Sequence, residues 1–223
     1  MARGGGRYVG VDVGASAFHG VSIDGSGHVL TGAVFATDEV AELVEWAGSA
    51  SVIAIDAPDR PSQGAHATDL AVAPKFRAGR CAEVALGLQH RYWVPWITPA
   101  EPPPGSWISA GIALHQTLRA QTRAEVIEVF PYAGFRQLAG DQRLAKKTTL
   151  AGSRTRTWLL RSAGLNEERL ELWSHDSLDA AMAALIAADR GRDAAVRVEC
   201  DTTAGCKRDG SVIWLPDPRR PRR

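Results

Sequence analysis

The sequence predicts an α/β fold in which a mixed five-stranded sheet is flanked by helices, with loop insertions and room for a C-terminal hairpin. Three short apolar segments, 8–13, 17–23 and 28–35, follow one another closely, which is typical of an antiparallel meander. Segments 52–56 and 126–131 are apolar without alternation, and such runs belong to strands that are covered on both faces. Helical periodicity between and after these strands supplies the covering helices.

The first half of the chain contains four of these strands and one helix. Asp24-Gly25-Ser26-Gly27 separates the second and third strands and is a strong turn sequence. A helix is predicted after Thr37, where Asp38 and Glu39 favour the positive end of a helix dipole. Strand 52–56 follows this helix. The apolar residues of the helix recur at helical spacing: Val40, Leu43, Val44 and Ala47.

The second half of the chain is rich in loops and helices. Segments 57–65 and 95–106 are loops rich in proline and glycine, and a helix is predicted between them from Arg80 to His90. A helix over 108–119 leads into strand 126–131. The remaining elements are a helix that ends before Gly164, a long helix that begins near Asp176, and segments 195–200 and 211–215, which could pair as the terminal hairpin.

Length and composition favour one domain over residues 1–223, large enough to bury a substantial core. The net charge of +1 gives no general attraction to nucleic acid, and the basic tail 217–223 is expected to be disordered. No apolar segment approaches the roughly 20 residues that span a bilayer, so no membrane association is expected. Cys81, Cys200 and Cys206 are scattered without a zinc-site spacing, which favours incidental thiols in a reducing cytoplasm.

Four acidic residues stand at the ends of predicted elements. Asp12 ends the first strand, Asp56 ends strand 52–56, and Asp176 and Asp179 lie at the start of the last helix. An uncompensated carboxylate beside buried strands costs several kcal/mol or more, so it must be paired, protonated or bound to a cation. Together the four acids favour a metal site. Singly, Asp176 is explained equally well as a helix N-cap, and Asp56 is better explained as the cap of a turn.

Five short motifs occur in order along almost the whole chain. They are Gly10-Val11-Asp12, Ile55-Asp56-Ala57-Pro58, Arg80-Cys81-Ala82-Glu83, Val126-Ile127-Glu128-Val129-Phe130-Pro131 and His175-Asp176-Ser177-Leu178-Asp179-Ala180. This set resembles the predicted ribonuclease H-like nuclease family catalogued as domain of unknown function 429. The resemblance implies a ribonuclease H-like fold. One departure is Ala82, since the family pattern places an acid directly after the cysteine, and Glu83 is therefore given no role.

The resemblance also implies metal-assisted phosphodiester hydrolysis with Mg²⁺ or Mn²⁺ as the cofactor. In such a reaction two ions about 3.5 to 4 Å apart activate water and stabilise the leaving oxygen. Asp12 would bridge the two ions and Asp56 would bind one of them. Asp179, with Asp176, would complete the shell of the other ion. His175 would position water or carry a proton.

Glu128 is an acid set inside the buried run 126–131, which packing alone does not explain. It is expected to pair with an arginine such as Arg80. The pair would support the metal ligands from behind or have a structural role.

The expected partner is nucleic acid or a nucleotide, and the sequence leaves DNA, RNA and the oligomeric state open. Two other functions stay open. One is binding of nucleic acid or nucleotide without turnover. The other is ATP or phosphate binding of the actin and sugar-kinase type, because Asp12-Val13-Gly14-Ala15-Ser16 fits the phosphate loop of that group. Four basic residues before the last helix could contact phosphates or simply be solvated: Lys146, Lys147, Arg154 and Arg156.

Overall fold

The computed structural model of this protein describes residues 6–200, 206 and 208–219, and its centre is a five-stranded sheet. The strand order is β3-β2-β1-β4-β5. The first three strands are antiparallel, whereas β4 and β5 run parallel to β1, so the predicted mixed sheet is confirmed. The strand bounds are β1 Arg7–Val13, β2 Ala17–Asp24, β3 Val29–Ala36, β4 Val52–Asp56 and β5 Glu125–Glu128.

Helices cover both faces of this sheet, as the fold class requires. One face packs against α7, with α5 and α6 beside it, and the opposite face packs against α1 and α4. Two short helices, α2 and α3, lie in the segment between β4 and α4. The helix bounds are α1 Val40–Ala47, α2 Pro74–Arg77, α3 Cys81–Val84, α4 Trp107–Gln121, α5 Pro131–Ala139, α6 Leu150–Ser162 and α7 His175–Gly191.

Most predicted bounds agree with the structure to within about two residues, and two elements differ more. The helix predicted over 80–90 is the α-helical turn α3 followed by a π-helical segment, Ala85–Gln89. The strand predicted over 126–131 ends at Glu128, because Pro131 begins α5. Proline is favoured in the first turn of a helix, where its missing amide hydrogen is not needed. Sequence analysis read this proline as the end of a strand and missed α5.

Strand parity decides what each face of β1 carries. Alternate side chains point to opposite faces, so Val9, Val11 and Val13 join the core beneath α1 and α4, whereas Gly10 and Asp12 face α7. A Cβ atom on Gly10 would lie 2.1 Å from the Ala180 carbonyl oxygen. Because Gly10 has no side chain, the backbone of α7 packs directly against the backbone of β1, two residues before Asp12.

The C-terminal part of the chain adds a small antiparallel sheet, which confirms the predicted hairpin. Its strands are β6 Val196–Val198 and β7 Ile213–Leu215. In the predicted basic tail, the Asp217 amide donates a hydrogen bond of 3.0 Å to Asp189, whereas residues 220–223 lie outside the described residues. Within the described residues, no helix has the length and apolar character needed to cross a membrane.

Candidate metal centre

Three carboxylates converge where the end of β1 meets the start of α7. Asp12 comes from β1, and Asp176 and Asp179 come from the first turns of α7. One oxygen of each lies within 4.8 Å of the other two. Residues three apart share a helix face, so both α7 carboxylates are presented to Asp12. Asp12 and Asp179 are buried, and Asp176 is partly exposed.

The start of α7 is fixed by serine and not by aspartate. The Ser174 hydroxyl accepts a hydrogen bond of 3.0 Å from the Ser177 amide, which makes Ser174 the N-cap. The alternative explanation of Asp176 as the cap is therefore wrong. Asp176 lies in the first turn, and its carboxylate is left free to join the cluster.

Asp56 reaches the cluster through Asp12. These two residues are direct partners in the parallel pairing of β1 and β4, so their side chains lie on the same face of the sheet. The two carboxyl groups are close enough for the charge of Asp12 to raise the pKa of Asp56. The structure thus brings the four predicted acids to one edge of the sheet, with Asp56 behind the group of three.

Lys147 supplies a positive charge to the cluster. Its ammonium nitrogen lies 2.7 Å from Asp179 Oδ2 and 3.7 Å from Asp176 Oδ1. Sequence analysis noted Lys147 only as one of four basic residues that could contact phosphate. Another of those four, Arg156, is buried and donates to the carbonyl oxygens of Ala145 and Gly152.

Two histidines border the carboxylates. His175 Nδ1 lies 2.6 Å from Asp176 Oδ1, and His19 Nε2 lies 3.9 Å from Asp176 Oδ2. Sequence analysis named His175 and gave His19 no role. The structure places His19 there because it is the antiparallel partner of Asp12 across β1 and β2.

The electrostatics of the cluster are those of crowded, partly desolvated acids. Burial, and then the charge of Asp179, raises the pKa of Asp12 to about 7. Burial and the charge of Asp12 raise the pKa of Asp56 well above its ordinary value. Burial also raises the pKa of Asp179, although Lys147 opposes that rise. A site with this excess of negative charge is stabilised by a cation.

Arg80 and Glu128 form a separate network on the other face of the sheet. Glu128 pairs with Ile55 of β4, whose side chain lies in the core beneath α1 and α4. Arg80 donates to both Glu128 oxygens, at 2.7 and 2.6 Å, and to Glu83 at 3.0 Å. Although burial lowers the pKa of Arg80, the charges of Glu128 and Glu83 raise it above its ordinary value. The expected pair therefore exists, and it lies on the opposite face of the sheet from Asp12.

A family model described as a protein of unknown function, DUF429, matches residues 10–203. The chain belongs to the DUF429 family. Because this family has a ribonuclease H-like fold, the sheet and helices described above are those of that fold. No curated protein matches this DUF429 chain.

The five motifs of this DUF429 chain divide between the two clusters. The motifs that contain Asp12, Asp56 and Asp179 meet at the aspartate cluster, and those that contain Arg80 and Glu128 meet in the arginine network. Glu83, which sequence analysis left without a role, is buried and bonds to Arg80 and to the Thr98 amide. The motifs therefore mark two sites: in one the aspartates cluster beside Lys147, and in the other acids surround the buried guanidinium of Arg80.

Proposed function

We propose that this protein is a divalent-metal-dependent nuclease, which hydrolyses phosphodiester bonds of nucleic acid or of a nucleotide with Mg²⁺ or Mn²⁺. The observation that carries the proposal is the convergence of Asp12, Asp176 and Asp179, whose carboxylate oxygens lie within 4.8 Å of one another. Carboxylate oxygens are the ligands that these hard cations prefer. The proposal names a reaction class, since function depends on the site and not on the fold alone.

The residues of the cluster fit such a cation. Asp12, Asp176 and Asp179 would bind it directly, and Asp56, the neighbour of Asp12 across β1 and β4, would bind it from the next strand. A bound cation would supply activation of water and stabilisation of the leaving oxygen. It would also offset the burial and the repulsion from Asp179 that together raise the pKa of Asp12 to about 7.

The surrounding side chains have separate tasks in this proposal. His175 and His19 flank Asp176 and can hold or release a proton at an imidazole nitrogen. Lys147 is partly exposed and can turn from Asp179 to a substrate phosphate, as a point charge. These groups surround the position that a scissile phosphate would take beside the carboxylates.

An open groove of about 500 Å³ adjoins the start of α7 and offers a place for substrate. It is lined by β2, by β3 and by the segment that contains Ser174 and Ser177, which flank His175 and Asp176. Serine hydroxyls and backbone amides at a helix start are suitable donors to phosphate. The groove supports a substrate that is held along the sheet edge with its phosphate at the aspartates.

Asp12→Asn is the decisive variant for this proposal. We expect it to lose Mn²⁺ binding, followed by calorimetry, and to lose Mn²⁺-dependent cleavage in a screen of single- and double-stranded DNA and RNA. Removal of a central ligand weakens binding because the amide carries no charge. Asp38→Asn is the matched control, since Asp38 is exposed, and it should keep both properties.

Three results would overturn the proposal. One is unchanged Mn²⁺ binding in Asp12→Asn. Another is tight binding of nucleic acid with no metal-dependent turnover, which would favour a binding protein. The third is thermal stabilisation by ATP without nuclease activity, which would favour the phosphate-binding alternative.

A cytoplasmic location is part of the same proposal. The thiols of Cys81, Cys200 and Cys206 are free, and free thiols persist in reducing compartments. Nucleic acid and nucleotides are also available there.

A further inference from the structure

We propose that His66, Cys81, Cys200 and Cys206 form a second metal centre, a structural zinc site. The structure brings one ligand atom of each residue within 4.8 Å of the other three. These are the donors of a Cys₃His site, the set that Zn²⁺ prefers when it has a structural role. The site shares no residue with the cluster of Asp12, Asp176 and Asp179, and it does not depend on the proposed nuclease function.

The distances within the group have the scale of a zinc tetrahedron. Cys81 Sγ lies 3.3 Å from Cys206 Sγ. His66 Nε2 lies 3.3 Å from Cys200 Sγ and 3.5 Å from Cys206 Sγ. With Zn–S bonds near 2.3 Å and Zn–N bonds near 2.0 Å, a tetrahedron has edges of about 3.5 to 3.8 Å. A small outward movement of the four side chains would therefore admit the ion.

The histidine ring is oriented as a zinc ligand would be. His66 is fully buried, and its Nε2 atom points to the sulfur atoms. Its Nδ1 atom lies 3.8 Å from Asp69 Oδ2, and neither atom has a hydrogen-bond partner among the described residues. A carboxylate behind a metal-bound histidine fixes the ring and raises the basicity of the ligand. The other Asp69 oxygen is held by the Ala71 amide at 3.0 Å.

Cys81 is held in place by side chains from the C-terminal part of the chain. The Cys81 amide donates a hydrogen bond of 3.0 Å to Asp209, and the Ala82 amide donates one of 3.0 Å to Ser211. The segment that follows Cys206 is thereby attached to the start of α3. A small apolar cluster that includes Val72 and Val84 excludes water around the thiols.

Four protein ligands would close the coordination shell, which is the arrangement of a structural and not a catalytic site. Binding would replace one proton on each thiol by a bond to zinc. The ion would join the loop after β4, the start of α3 and the C-terminal segment, which otherwise contain little regular structure. Because Arg80 immediately precedes Cys81, the zinc would also hold the arginine network in place.

The first test is metal analysis of the full-length protein after gel filtration in metal-free buffer. We expect one zinc per chain in the wild type and its loss in His66→Ala and Cys200→Ser. His90→Ala is the matched control, because His90 is exposed, and it should keep the zinc. Asp12→Asn should also keep it, which separates this site from the aspartate centre. Asp69→Asn should weaken zinc binding by about 10- to 100-fold.

A second test uses the absorption spectrum of the wild-type protein, so its result does not depend on whether the ligand variants fold. Wild-type protein loaded with Co²⁺ should show the absorption of a tetrahedral, thiolate-bound ion, and added Zn²⁺ should abolish that absorption. Absence of zinc together with a Cys81–Cys206 disulfide in the intact mass would overturn the proposal. Zinc that is retained by His66→Ala but lost from Asp12→Asn would also overturn it.

Discussion

Lys147 partly neutralises the negative charge of the aspartate cluster. Its ammonium group lies 2.7 Å from Asp179 and 3.7 Å from Asp176, at the mouth of a cluster that also includes Asp12. Although burial lowers its pKa, the charge of Asp179 raises the pKa of Lys147 above its ordinary value, so the residue stays charged. A protein cation and a divalent metal ion would therefore compete for the same carboxylate.

Lys147→Met should increase the affinity for Mn²⁺ by about tenfold, because it removes a positive charge that repels the ion and occupies Asp179. The affinity is measured by calorimetric titration of the metal-free protein. Lys146→Met is the matched control, since Lys146 is exposed and adjacent in sequence, and it should change the affinity little. A lower affinity in Lys147→Met would contradict this interpretation.

At the scale of elements, the centre depends on how closely α7 crosses β1. A Cβ atom on Gly10 would lie 2.1 Å from the Ala180 carbonyl oxygen and 2.2 Å from the Ala184 amide nitrogen. Both contacts involve backbone, so a side chain at this position must push the helix away from the strand. That movement would also separate Asp179 on the helix from Asp12 on the strand.

Gly10→Ala should destabilise the protein by about 1 to 3 kcal/mol, as overpacking of a tight core does, and should weaken Mn²⁺ binding. Denaturant unfolding and calorimetry measure the two effects. Gly32→Ala is the matched control in β3, because its Cβ atom would meet only the Gly20 carbonyl oxygen at 3.8 Å. If Gly10→Ala were as stable as Gly32→Ala, the close crossing of β1 and α7 would be refuted.

At the scale of the whole molecule, Arg80 connects segments that are far apart in the chain. It is 1% exposed and contacts Glu128 of β5, Glu83 of α3 and, at 3.5 Å, Asp59 of the loop after β4. A buried guanidinium surrounded by carboxylates is expensive to desolvate, and its loss leaves those carboxylates unpaired. The network therefore fixes the relative positions of these three segments.

Arg80→Met should lower the free energy of unfolding by about 3 to 5 kcal/mol, because it breaks a buried ion-pair network from one side. Denaturant unfolding tests this value. Arg197→Met is the comparison, since Arg197 and Glu199 form an exposed pair at 2.9 Å, and it should change the free energy by less than about 1 kcal/mol. Equal effects of the two variants would show that the Arg80 network contributes no more than a surface pair.

Much of this protein could be predicted from local sequence patterns. The two apolar segments without alternating polar residues predicted strands that are covered on both faces. These segments contain β4 and β5, and helices cover both faces of the sheet. Tight-turn residues predicted the antiparallel meander. The same patterns could also have identified His19, since the short loop between β1 and β2 sets the register that pairs it with Asp12.

Only the tertiary structure decided which acids and thiols meet. Side chains alternate between the two faces of the sheet. Asp12 therefore points to α7, which lies close enough to place Asp179 beside it. Glu128 points to the opposite face, where it pairs with Arg80. Lys147 reaches Asp179 because the loop that carries Lys147 passes the start of α7. Cys81 contacts Cys206 because the C-terminal segment returns to the start of α3. Periodicity and turn chemistry act between neighbours in the chain, so the sequence by itself determined the strands of the sheet and most of the helices, but not α5. Contacts between residues that are distant in the chain depend on how the whole core packs, and these pairs are separated by 32 to more than a hundred positions.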